Sequence, residues 1–260
     1  MDRTELSKEI QNILNDNTSG SSVISAQIED VFPYIPEDIF QKTMGQFLSV
    51  HSSMASVINR INYLCLIKEG KPITEIKSYH EKTFKQFWAE NQNSLKWITL
   101  SMSHWVIECL KYNQSRCEIK AGISYPDKEG LITYDLLKDY HNVKVYEDSR
   151  LGSEIRKTDG IILGADLIGK KHIINKSGSL SLALAAKYFK KPLYILSSGD
   201  KILTETLMPF YKMKKVKNQF GWTHYFEKVP LELVTKIYMT TEEYPFPLSN
   251  TLKEIGINSL

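Results

Sequence analysis

The sequence predicts an α/β protein in which an N-terminal helical domain, residues 1–93, precedes a Rossmann-like doubly wound parallel sheet domain, residues 94–260. Three observations predict it. Through the first 93 positions apolar residues recur at three- and four-residue spacing, the period of helices that bury one side each. From residue 96 short apolar runs alternate with helical patterns, as parallel strands require crossover connections. Between Asp159 and Ser198 the chain reads as strand, polar loop, helix and strand, with an Asp where the first strand ends.

The helical half divides as follows. Leu6, Ile10, Ile13 and Leu14 form one stripe behind a Thr4 cap. Pro36 fits the first turn of a second helix carrying Ile39, Phe40, Met44, Phe47 and Leu48. Met54, Val57, Ile58, Ile61, Leu64 and Cys65 make a third that Gly70 closes, and Ile73, Ile76, Phe87 and Trp88 belong to a fourth. After the join near Gln92-Asn93-Ser94, strands are expected at Trp97–Leu100, Cys117–Ile123, Val143–Val145, Gly160–Leu163 and Pro192–Leu196. Helices are expected around 104–112, 131–139, 149–157 and 179–190. Internal repeats and low-complexity tracts are absent.

Composition narrows the function classes. With 260 residues, 42% hydrophobic and 24% charged, the chain has the balance of a globular protein with a core to bury. A net charge of +3, dispersed along the chain, makes no electrostatic case for nucleic acid. Lys212, Lys214, Lys215 and Lys217, expected to follow a helix, read as a solvated loop ahead of a phosphate or RNA contact. Cys65, Cys109 and Cys117 form no CxxC pair and are odd in number, which argues against disulfides or zinc and fits a reducing cytoplasm. Met1–Ile10 carries acids and lacks the apolar segment of a signal peptide, and no apolar run approaches a membrane span. A cytoplasmic protein without cofactor, metal or membrane partner is expected.

In an open parallel sheet, ligands gather outside the carboxyl ends of the strands, and helix N-termini attract anions. Position therefore nominates Ser101 to Ser103 after the first strand, Ser124-Tyr125 after the second, Glu147-Asp148 after the third and Asp166 after the fourth. Asn175, Lys176 and the turn Ser177-Gly178-Ser179 open the next helix, where unpaired N–H groups suit a phosphate. A Ser/Gly turn is also an ordinary cap, and Asp148 is read as one. Cys109 reads as a small buried hydrophobe, His104 as a first-turn surface residue, and Trp105 and Trp222 as packing aromatics.

The segment GAD, eight residues, NK-x-G-[ST], an Ala-rich helix and a Lys-Pro strand resembles the superfamily of translation initiation factor 2B alpha, beta and delta subunits. Its enzyme members are methylthioribose-1-phosphate isomerase and ribose-1,5-bisphosphate isomerase. LNDNTSGSSVIS (14–25), SSMASVINRINYL (52–64), ITLSMSHWVIECL (98–110), SYPDKEG (124–130) and FEKVPLELVTKIYMTTEE (226–243) extend the resemblance over nearly the whole chain. It implies that Asp166 matches a catalytic Asp, that Asn175 and Lys176 match an Asn-Lys pair beside the substrate hydroxyls, and that Ser101 stands where the enzymes carry a Cys. A carboxyl of raised pKa and a thiol suit ring opening and hydrogen transfer between C1 and C2, whereas a lone serine hydroxyl is a poorer acid or nucleophile. Three arginines that clamp phosphate in the enzymes are replaced, by Thr18-Ser19-Gly20-Ser21, His51-Ser52-Ser53 and Tyr125-Pro126. Ser, His and Tyr cannot copy the bidentate guanidinium fork.

These substitutions point to a regulatory or assembly subunit that binds a phosphorylated sugar or nucleotide, with Lys176, Gly178, Ser179, Ser19, Gly20, Ser21, His51, Asn175, Ser103 and Tyr125 as contact candidates. The alternative is an aldose–ketose isomerase acting on a sugar 1-phosphate, with Asp166 as acid/base and Ser101 in the catalytic position. A nucleic-acid factor working through Lys212–Lys217 is the third and weakest reading. The resemblance also implies a homodimer, or a larger assembly with related subunits, and an acidic residue of the 226–243 block near the crevice.

Overall fold

The structure, a computed structural model, describes residues 1–16, 20–73, 77–218, 221–242 and 246–257, apart from the side chains at 218, 222 and 257. Helices α1 (Arg3–Asn15), α2 (Ser21–Val31), α3 (Glu37–Val50), α4 (Ala55–Lys68) and α5 (His80–Glu90) come first. Strands and helices then alternate as β1 (Lys96–Thr99), α6 (His104–Tyr112), β2 (Glu118–Gly122), α7 (Glu129–Leu137), β3 (Asn142–Tyr146), α8 (Asp148–Glu154) and β4 (Gly160–Leu163). The remainder is β5 (Leu167–Ile168), β6 (His172–Lys176), α9 (Ser179–Tyr188), β7 (Leu193–Ser197), β8 (Lys215–Asn218), β9 (Gly221–His224), β10 (Phe226–Pro230), β11 (Lys236–Met239) and α10 (Asn250–Ile257).

The chain forms two compact units, one of residues 1–76, 200–213 and 243–260, the other of 77–199 and 214–242. That division differs from a single cut between 93 and 94, because α5 belongs with the sheet. Its Phe87 is wholly buried against Trp97, Tyr194 and Tyr238. Thr83 donates to the Met239 carbonyl, Trp88 to that of Cys109, and Glu90 holds Lys236 and the Tyr238 hydroxyl.

In the helical unit the stripes read from the sequence face inward: Leu6, Ile10 and Ile13 of α1, Phe40, Met44, Phe47 and Leu48 of α3, and Val57, Ile58, Ile61 and Leu64 of α4 are buried. The cap of α1 is Asp2 rather than Thr4. Its carboxylate accepts the Thr4 and Glu5 amides at 2.8 Å, meeting two donors the first turn leaves open. Gly70 ends α4 with φ +67°, a left-handed value that costs glycine little. Helix α2, with Ile24, Ile28 and Val31 buried, is an element the sequence reading did not separate. Ile76, assigned there to a fourth helix, lies outside the described residues.

The second unit holds a six-stranded sheet in the order β11-β7-β4-β1-β2-β3, every pairing parallel. Counted along the chain, the strands run out from β1 in one direction to β3 and in the other to β11, so the order reverses at β1. The carboxyl ends of β1 and β4 therefore flank a topological switch point, the crevice such sheets offer to ligands. Trp97, Ile98, Ile119, Ile161 and Ile195 are buried in this sheet. The expected polar loop between β4 and α9 carries structure of its own: β6 pairs antiparallel with β5 and β10. The 212–217 lysines do not follow a helix. Residues 208–210 form one 3-10 turn, and Lys215 and Lys217 lie in β8, paired with β9. Among the described residues no helix is long and apolar enough to cross a membrane.

Candidate functional site

The end of β1 turns at Ser101, whose φ of +67° is left-handed. Three bonds hold it there. Its amide donates to Ser124 Oγ at 2.6 Å, its carbonyl accepts Thr133 Oγ1, and its hydroxyl donates to Glu129 Oε2 at 2.5 Å. Ser103 follows at the N-cap of α6, and at Gly164, just past β4, an added Cβ would lie 2.5 Å from Ser103 Oγ. The ends of β1 and β4 approach this closely only because residue 164 has no side chain.

Glu129, in the first turn of α7, is the hub. Besides Ser101 it takes Lys176, whose Nζ lies 3.2 Å from Oε2, and it stands 3.0 Å from the Tyr225 hydroxyl through Oε1. Tyr225 donates to Asp127 Oδ2 at 2.5 Å, and its ring centroid lies 3.4 Å from Lys176 Nζ. Lys176 ends β6 with no exposed surface. Burial pulls its pKa below the ordinary lysine value, opposed first by Glu129 and then by Asp127 and Asp166. Burial and donation to Asp127 push the Tyr225 phenol upward. Three carboxylates thus surround one ammonium, a lining that accepts protons from hydroxyls and disfavours a bare phosphate.

The opening of α9 is likewise engaged. Gly178, with φ +104°, and Leu180 each donate an amide to Glu227 Oε1 at 2.7 Å, so a carboxylate of β10 sits where an anion was expected. Asn175 donates to Ser179 Oγ, which donates to the Lys176 carbonyl, closing the turn on itself. Asp148 does not cap α8; its carboxylate accepts the Ser124 and Tyr125 amides and ties the ends of β2 and β3. The Tyr125 side chain is exposed, as is His104, while Cys109 is buried and its thiol pushed up by desolvation.

The structure brings Ser101, Ser103, Lys176 and Asp166 to the switch point, and joins Asn175, Gly178 and Ser179 in the turn beside it. Gly20, Ser21 and His51 belong to the helical unit. There Gly20 precedes α2, Ser21 accepts Lys201 Nζ at 2.7 Å, and His51 is buried with Nε2 2.9 Å from the Ile13 carbonyl. Ser19 and Thr18 lie outside the described residues. Asp127, Glu129 and Tyr225 were not among the sequence candidates, whereas Glu227 is an acidic residue of the 226–243 block that the resemblance puts near the crevice. Asp127 sits in the loop after β2 and Glu129 opens α7, where the strand-end argument would have found them; Tyr225 carried no such signal. Among the described residues no three His, Cys, Asp or Glu are placed to hold a metal ion.

Comparison with known proteins agrees with this fold. Over 97 residues the chain is 30% identical to methylthioribose-1-phosphate isomerase of Schizosaccharomyces japonicus, a stretch that is 36% of this chain and 27% of that protein. The translation initiation factor eIF-2B structure of Pyrococcus horikoshii superposes with a TM-score of 0.70 at 20% identity, covering 94% of this chain and 98% of that one. A chain of the tetrameric eIF2B-beta2-delta2 complex from C. thermophilum superposes at 0.64 and 12% identity, with 90% of each covered. The model of the Initiation factor 2 subunit family matches residues 75–219, more than half the chain and the segment that carries β1 to β8 with Ser101, Glu129, Asp166 and Lys176. The chain belongs to the Initiation factor 2 subunit family.

Proposed function

We propose that the protein is a non-catalytic regulatory or assembly member of its family that binds a phosphorylated sugar or nucleotide, with the ligand's hydroxyls in the crevice between β1 and β4. One observation carries this reading. Ser101, in the position where the resemblance puts a catalytic thiol, donates its hydroxyl to Glu129, and an alcohol is so much weaker an acid than a thiol that it cannot take over the thiol's part near neutral pH. The Ser101 hydroxyl is committed to Glu129, which leaves no poised nucleophile at the end of β1. Asp127, Glu129 and Asp166 suit hydroxyl donors, and Asn175 and Ser179 support the same wall.

A cytoplasmic dimer, or a larger assembly with related subunits, completes the proposal. The tetrameric structural neighbour supports it, as does α7, which exposes Leu131, Ile132, Tyr134 and Leu136. The second reading, an aldose–ketose isomerase, draws on Asp166, which stands at the end of β4 and lends its charge to Lys176. The test is a titration of ribose and methylthioribose 1-phosphates and nucleoside monophosphates followed by NMR. Broadened ligand signals without new ones support binding without turnover. Product that vanishes in Asp166→Asn would establish the isomerase instead.

A further inference from the structure

Nothing reaches the centre of the crevice while Tyr225 stays where it is. Only 6% of Tyr225 and none of Lys176 is exposed. The ring covers the ammonium, and the hydroxyl spans Asp127 and Glu129, where a sugar hydroxyl would bind. The arrangement is unsaturated in two respects. One phenolic proton serves two carboxylates, and the Lys176 ammonium, with three protons to give, has one carboxylate oxygen at 3.2 Å and a ring face beside it. A pair of adjacent sugar hydroxyls offers two protons to the carboxylates and oxygen acceptors to the ammonium, so exchanging the phenol for a diol gains hydrogen bonds.

We propose that Tyr225 is the gate of this crevice: its side chain fills the place a polyhydroxylated ligand takes, and must swing off Lys176, Asp127 and Glu129 before one enters. The backbone beneath it is anchored, since the Tyr225 carbonyl accepts the Ser177 amide and hydroxyl and its amide donates to Lys214. The movement therefore belongs to the side chain. This inference rests on the crevice being a ligand site, and its test uses no ligand.

The intact chain is pulse-labelled with acetic anhydride, and acetylation at each lysine is read by peptide mass spectrometry. Lys120 is the internal control. It is 3% exposed and held by Glu154 at 3.0 Å, a bond the Tyr225 variants leave in place, so it reports loosening of the unit as a whole. Tyr225→Ala should raise the Lys176 rate about tenfold or more, with Lys120 unchanged. Should Tyr225→Ala raise both, Tyr225→Phe decides, because it keeps the ring and removes only the two carboxylate bonds. A rise at Lys176 alone in that variant supports the gate. Lys176 as protected in both variants as in the parent chain overturns it. Faster labelling of Lys176 alone, combined with no binding of sugar phosphates, would leave the gate standing and remove the ligand assigned to it.

Discussion

Glu129 receives a serine hydroxyl, an ammonium and a phenol contact, and that convergence explains why a strained Ser101 is tolerated. The left-handed turn is over-determined by bonds from its amide, carbonyl and hydroxyl. Another buried side chain has its protonation state written into its partners. His141 accepts the Cys117 amide at Nδ1 and faces the Leu110 carbonyl through Nε2 at 2.8 Å, which requires a neutral ring protonated at Nε2. Burial lowers its pKa, with Arg116 acting in the same direction and the Leu110 bond opposing. A folded value below the unfolded one, about 6.5, means that the unfolded chain binds the extra proton first. This contribution to stability is full above about pH 6.5 and lost as pH falls toward the folded value. NMR of the ring should show His141 still neutral at about pH 6.5, where a free imidazole is half charged; half-protonation there or higher would contradict it. Single residues were legible where position decides chemistry, as at Ser101 and Asp166 on strand ends. Tyr225 was not, because its partners Asp127 and Glu129 lie nearly a hundred positions earlier and no local pattern links them.

Elements show the same limit from another side. The stripes of α1, α3 and α4 have a helical period and were readable, whereas α2 hides behind a Ser/Gly stretch that looks like loop although Ile24, Ile28 and Val31 recur at helical spacing. The antiparallel set β5-β6-β10 was unreadable because β5 has two residues and β10 arrives from fifty residues downstream. Helix α5 was legible as a helix but not in its allegiance, which tertiary packing decides. Phe87 anchors it among Trp97, Tyr194 and Tyr238, so Phe87→Ala should cost about 3–5 kcal/mol in denaturant unfolding of the sheet unit. A loss under about 1 kcal/mol would mean that α5 is held by its polar bonds to Met239, Cys109 and Lys236 instead.

At the scale of the molecule, the alternation of strands and helices was enough to read a doubly wound sheet, because right-handed crossovers leave few topologies. The candidate residues followed from strand ends and the GAD…NK motif together. The resemblance puts an acidic residue of the 226–243 block near the crevice, and its seat on the α9 N-terminus, at Glu227, is a consequence of β10 lying beside β6. The exposed apolar residues of α7 belong to this scale too, since Leu131, Ile132, Tyr134 and Leu136 together make the kind of patch that marks an interaction surface. Sedimentation should find a dimer, and Ile132→Glu should shift it toward monomer; an unaltered dimer would place the interface elsewhere. The central claim is that the crevice binds without turning over. It is tested most directly by a proton NMR time course of methylthioribose 1-phosphate with stoichiometric protein. The expected result is broadened sugar signals that stay unchanged in number and area; ketose signals growing in, and absent with Asp166→Asn, would contradict it.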